Sequence, residues 1–253
     1  MKQRATIIVA FAVFFGLTGP AFSASETGHA LFFSANRDFR QGNFEQAAEK
    51  YESLVKSGRA GGDVYYNLGN THFRQNRIGE AILNYQRARL FMPRDRDLVH
   101  NLRFALDKRL NPPDSLAEQA RKGILRNFTG REAFGVFAVI NAAFFLALAL
   151  RLWMRREWTY YLVAALGIAW ISAALFAGAK YWDSRTDKAC VITAPKVEVR
   201  SGPSLKETVL FTLNEGAMAD SERQESGFRL IMISPDKRGW TPAHLSPKIR
   251  PEA

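Results

Sequence analysis

The fold class the sequence predicts is a multidomain membrane protein with three parts: an all-α repeat array, a two-helix transmembrane hairpin and a C-terminal all-β barrel. Three observations predict it. Residues 29–93 repeat at a period of 34. Two apolar runs, residues 134–150 and 158–179, are each near the ~20 residues that a helix needs to cross a bilayer. From residue 189 onward, helical spacing gives way to short alternating strands separated by Gly and Pro turns.

Residues 1–23 read as a signal peptide. Lys2 and Arg4 precede an apolar run from Ala5 to Leu17, and Ala21-Phe22-Ser23 fits small-x-small cleavage before Ala24. An uncleaved anchor would give the same polarity, with the basic end in the cytoplasm.

Within the repeat, Phe39 matches Phe73, Phe44 matches Ile78, Ala47 matches Ala81 and Tyr51 matches Tyr85, while Glu49 and Leu83 share a slot read as solvent-facing. Ala35 and Gly69 are placed where paired helices touch, with Ala47 and Ala81 opposite them and the tyrosines filling the space. Gly42-Asn43 supplies a turn and Pro93 closes the second repeat. Tyr65-Tyr66-Asn67-Leu68-Gly69-Asn70, with Ala81, Tyr85, Ala88 and Pro93, resembles a tetratricopeptide repeat. The resemblance implies a groove that holds an extended peptide through polar residues of the first helix of each pair. Carried over by position, these are Asn36 and Arg40, then Asn67, Asn70 and Arg74, with His100 and Asn101 on the following helix. The alternative is a solvated polar face.

Leu98, Leu102, Ala105, Leu106 and Leu110 continue at helical spacing, so a further helix covers the end of the stack and the repeat domain runs over residues 29–111. Asn111-Pro112-Pro113 breaks it. An amphipathic linker, residues 112–131, holds a helix over about 115–128 that is either a membrane-surface helix or a plain connection.

The hairpin comprises helices over 132–152 and 158–180, joined by a turn with Arg151, Arg155 and Arg156. So short a connection forces the helices antiparallel and leaves the flanking domains on one side. Trp153, Trp158, Tyr181 and Trp182 stand where interfacial rings belong. The basic turn is expected in the cytoplasm, and the repeats and C-terminal unit outside it, although Arg121, Lys122, Arg126 and Arg131 flank the first span on the outer side.

In residues 189–253, Val197 and Val199 alternate with Glu198 and Arg200, and Val209-Leu210-Phe211 and residues 228–233 read as strands. Residues 197–204 (VEVRSGPS), 213–217 (LNEGA) and 238–241 (RGWT) resemble a bacterial SH3 domain, an SH3-like barrel. Arg200 and Trp240 are its candidate surface residues, against a core Trp and an Arg that braces its own turn.

The chain carries +11, of which +5 lies in residues 29–111 and +4 in 112–188. Charge beside spanning helices points to anionic headgroups, and no nucleic-acid motif accompanies it. The single cysteine, Cys190, excludes an intrachain disulfide and a Cys-based metal site. Four scattered histidines supply no metal-ligand spacing, and no nucleophile elbow, phosphate loop or HExxH is present, so no catalytic residue, metal or cofactor is expected. The order of parts resembles the BatE-type proteins of the Bat aerotolerance operons. That resemblance implies a non-enzymatic protein of the bacterial inner membrane with periplasmic domains. It also implies partners among von Willebrand A-domain Bat proteins and, indirectly, a MoxR-type ATPase. Two functions stay open: a scaffold that binds partners through the repeats, and a cell-wall sensor or anchor whose SH3 unit contacts peptidoglycan.

Overall fold

The computed structural model describes residues 24–109, 124–154 and 156–250. The signal reading, Leu110, Arg155 and most of the linker lie outside these residues.

Five helices form the repeat region: α1 (Ala24–Gln41), α2 (Phe44–Lys56), α3 (Gly62–Arg74), α4 (Ile78–Arg89) and α5 (Arg96–Asp107). They are helical hairpins because each pair is separated by a turn with one left-handed residue: Gly42 (φ +84°) and, 34 positions on, Asn76 (φ +61°). The small residues act as predicted. A Cβ at Gly69 would stand 2.6 Å from the Tyr85 ring, and Ala35, Ala47 and Ala81 are fully buried. Leu98, Leu102 and Ala105 bury the inner face of α5, whose N-cap Asp95 accepts from the Leu98 N–H at 2.8 Å.

Glu49 and Leu83 do not share a solvent-facing slot. Glu49 is exposed, whereas Leu83 is 5% exposed because the C-terminal unit lies on the outer face of α4.

That unit has six strands: β1 (Ala189–Val191), β2 (Lys196–Arg200), β3 (Val209–Asn214), β4 (Met218–Glu225), β5 (Phe228–Ser234) and β6 (Lys237–Pro242). They form one antiparallel sheet in the order β1-β4-β5-β6-β2-β3. Val197, Val199, Ile231 and Ile233 are buried as their alternation predicts. A closed barrel was expected, yet the sheet is open. The outer edge of β1 is taken by the chain's own C-terminal segment: Val191 N–H donates to Pro247 O at 3.1 Å and Ile249 N–H to Ala189 O at 2.9 Å. β3 remains the opposite edge.

Because β1 is buried on both faces, it joins two cores. Cys190 points into the sheet's own cluster, while Ala189 and Val191, with Met218 and Ile249, share a cluster with Ile82 and Leu83 of α4. Gly79 permits the approach, since a Cβ there would lie 2.6 Å from the Ile192 carbonyl oxygen. Its N–H donates to Glu215 Oε2 at 2.9 Å, and the Arg87 guanidinium donates to the carbonyls of Ile249 and Lys248 at 3.2 and 3.1 Å.

The part of the linker that is described is a 3-10 turn, Ile124–Asn127, in place of the end of an amphipathic α-helix. Thr129 then caps α6 (Gly130–Trp153) in a capping box with Glu132, and α7 (Glu157–Thr186) returns antiparallel to it. Trp170 stacks on Phe144 and its indole N–H donates to Asn141 Oδ1 at 2.9 Å, which holds the two helices together. Both are long and apolar enough to cross a membrane. At 30 residues α7 runs about 45 Å, past the apolar window and into a polar last turn with Asp183 and Arg185.

Candidate peptide-binding groove

The first helices of the pairs, α1 and α3, and then α5 line up side by side, and an inner face opens along them. A cavity of about 370 Å³ lies there, walled by Phe39, Phe73, Tyr85 and Phe104 and edged by Asn70, Arg74, His100 and Asn101. None of its lining residues belongs to the β unit.

The asparagines are held by a ladder that itself repeats at 34. Tyr51 O–H and Asn67 Nδ2 both donate to Asn36 Oδ1, and Tyr85 O–H and Asn101 Nδ2 both donate to Asn70 Oδ1, at 2.8 and 3.0 Å in the second case. Asn101 Nδ2 also reaches Tyr66 O–H at 3.0 Å. Burial pushes the Tyr51 phenol up to about 12 and the Tyr85 phenol up further, so both stay neutral donors at every physiological pH. The ladder therefore stitches α1 to α3 and α3 to α5 while fixing the amides in one orientation. With their oxygens taken, Asn36 and Asn70 keep Nδ2 hydrogens that have no partner among the described residues. Those hydrogens suit a peptide carbonyl.

The predicted residues do not all converge. Asn70, Arg74, His100 and Asn101 edge the cavity; Asn36 and Asn67 form the neighbouring rung between α1 and α3; Arg40 is exposed and outside the lining. Arg74 stacks over Phe44 with its guanidinium carbon 4.9 Å from the ring centroid, which steadies the cation at the groove's rim. Phe104, absent from the predicted set, is 49% exposed and rests on Phe73, 5.6 Å between centroids. Its position one helical turn after His100 and Asn101 was the available signal.

On the β unit, Arg200 is held by its own turn, and Trp240 is mostly buried at the wall of a cavity it shares with Ser201, Leu210 and Arg238. Arg200 pairs with Glu198 and donates to the carbonyls of Leu205 and Glu207 at 2.8 Å each, bracing the turn after β2. Trp240 is 5% exposed, with the Arg223 guanidinium over its ring at 5.1 Å. Cys190 is buried, and burial pushes its thiol up to about 12, so it stays protonated and inert.

The paired helices, the small residues at their contacts and the 34-residue ladder are the marks of one repeat family. Residues 34–95 match the tetratricopeptide repeat. Such repeats suggest a protein–protein interaction scaffold, and the matched residues hold both tyrosines of the ladder and all but the α5 side of the cavity. A comparison with curated proteins gives no match.

Proposed function

We propose that this chain is a non-catalytic, membrane-anchored scaffold whose tetratricopeptide groove holds an extended, carboxylate-bearing segment of a partner protein. The observation that carries this reading is the open inner face, where amide donors locked by the tyrosine ladder stand beside Arg74 and His100 over an aromatic floor. Amide hydrogens take backbone carbonyls, and the rim cation selects an acidic chain.

Anchoring is supported by α6 and α7, whose large apolar side chains face outward: Leu146, Ile168 and Leu175 are each about 70% exposed. A hairpin of a soluble core would bury them. In this reading the chain is a BatE-type protein of the bacterial inner membrane, exported by its signal peptide. The repeats and the β unit are periplasmic, and the partner is a von Willebrand A-domain Bat protein linked to a MoxR-type ATPase.

The cell-wall alternative would use the β unit, as an SH3 domain, against peptidoglycan. It is the weaker reading because Arg200 is spent on its own turn and Trp240 is only 5% exposed. Deleting the β unit would not separate the two, since Ile82 and Leu83 would lose their cover. A cleaner test places a photo-crosslinking residue at Phe104 in the full-length chain in membranes, with and without Arg74→Glu plus His100→Ala. Neither substitution touches the ladder. The expected result is one crosslinked partner that disappears from the double variant; undiminished crosslinking by a well-folded variant would reject the groove.

A further inference from the structure

Where α4, the foot of the hairpin and the C-terminal segment meet, a cavity of about 300 Å³ opens. Its polar end is lined by Arg87, Arg89, Arg126, Lys180 and Arg250, with Asp183 the one carboxylate among the described lining residues. Phe134 and Tyr181 form the other wall, and each is about half exposed at the base of its spanning helix.

Among the described residues the charges do not cancel. Arg126 has carboxylates, Asp187 at 2.9 Å and Asp183 at 3.8 Å, and Lys180 lies 3.5 Å from Asp183. The guanidinium of Arg87 meets the neutral carbonyls of Lys248 and Ile249 and lies over the Tyr65 ring at 5.9 Å, with no carboxylate among its partners in the described residues. Arg89 and Arg250 each have a buried Nε without an acceptor among the described residues. Burial, and then the neighbouring Arg126, lower the hold of Arg89 on its proton, as a cation set beside another cation requires. Cations that outnumber the described carboxylates, with the buried Nε donors of Arg89 and Arg250 still open, leave room for an anion of about phosphate size.

We propose that this cavity binds a phosphate-bearing anion on Arg89 and Arg250, and that an anionic phospholipid supplies it, with acyl chains along Phe134 and Tyr181. The source rests on the reading of α6 and α7 as spans; the phosphate chemistry does not. A basic pocket at the foot of spanning helices can hold an anionic headgroup through charge-assisted hydrogen bonds to its phosphate. The bound headgroup would tie the repeat region, the hairpin and the C-terminal segment to one another, since each contributes a wall.

The test reconstitutes the full-length chain in nanodiscs of phosphatidylcholine with rising phosphatidylglycerol. Native mass spectrometry then reads the lipid retained, and thermal melting reads the stabilisation. Wild-type protein should retain phosphatidylglycerol and melt higher with it, and Arg89→Gln with Arg250→Gln should lower retention about tenfold, the expected scale for losing charge-assisted bonds. Arg131→Gln, an exposed arginine of the first turn of α6, should retain lipid as the wild type does. Stabilisation by millimolar inorganic phosphate in phosphatidylcholine discs, without lipid retention, would keep the phosphate site and assign a soluble source. Equal retention by wild type and a folded double variant, together with no response to phosphate, would overturn it. Should the chain fail to insert, the span reading falls by itself. The phosphate arm in detergent then decides the pocket, and no stabilisation there rejects it.

Discussion

The two repeats share a frame and differ in what covers it. In both, a tyrosine and two asparagines at equivalent positions form the same rung, and alanines at equivalent positions are fully buried. Their outer faces diverge. Glu45 and Glu49 of α2 face water, while Gly79 and Leu83 of α4, their counterparts, lie under β1. Between the paired helices the first repeat places a part-exposed ion pair, Asp38–Lys50, and the second places buried His72 and Asn84. A repeat is thus defined by its inner contacts, and its outer face is free to remain solvated or to become an interface.

The largest test of this contrast exchanges the outer residues. Leu83→Glu buries a carboxylate among Val191, Met218 and Ile249 and should cost on the order of 3 kcal/mol or more, releasing the β unit to protease. Glu49→Leu in the first repeat should stay within about 0.5 kcal/mol, as a surface change does. Equal effects, measured by thermal melting and limited proteolysis of the full chain, would end the distinction between covered and uncovered faces.

A smaller change tests the same interface by its backbone. Gly79→Ala brings a methyl against backbone atoms of Ile192 and Thr193, which cannot yield as a side chain would. A loss of about 1–3 kcal/mol is expected. Its counterpart Glu45→Ala should be near neutral, and a silent Gly79→Ala would mean that α4 and β1 separate readily in solution.

The smallest effect is one of pH. His72 is 2% exposed; burial first, and Arg77 second, hold its pKa below the ordinary 6.5, so the folded form keeps it neutral more firmly than the unfolded form does. Its contribution is complete above about 6.5 and is lost as pH falls through the unfolded and then the folded value. Melting temperature should therefore decline on acidification from pH 7.5 to 5.5, and His72→Gln should flatten that decline. The same slope in wild type and variant would assign the pH response elsewhere.

The inner cavity was legible in part. Asn70, Arg74, His100 and Asn101 could be placed because family position specifies a helix face, and a helix face survives tertiary assembly. Arg40 is exposed on α1 and outside the cavity lining although its counterpart Arg74 is part of it, and Phe104 carries no distinguishing signal because an aromatic at helical spacing reads equally as core. Arg200 and Trp240 come from the motifs of residues 197–204 and 238–241, and a motif does not decide between a surface role and the alternative of a bracing Arg and a core Trp.

By itself the sequence determined the helical pairs, the apolar hairpin and the alternating strands, since each follows from periodicity that short stretches enforce locally. Tertiary structure decided which repeat carries the β unit, the open sheet and the basic cavity. Each depends on segments far apart in the chain: the cavity draws Arg89, Arg126 and Arg250 from three separate regions, and β1 takes residues 247–249 on its edge. Nothing in a local pattern distinguishes an apolar residue awaiting a partner, such as Leu83, from one left at the surface, because burial is a property of what arrives from elsewhere.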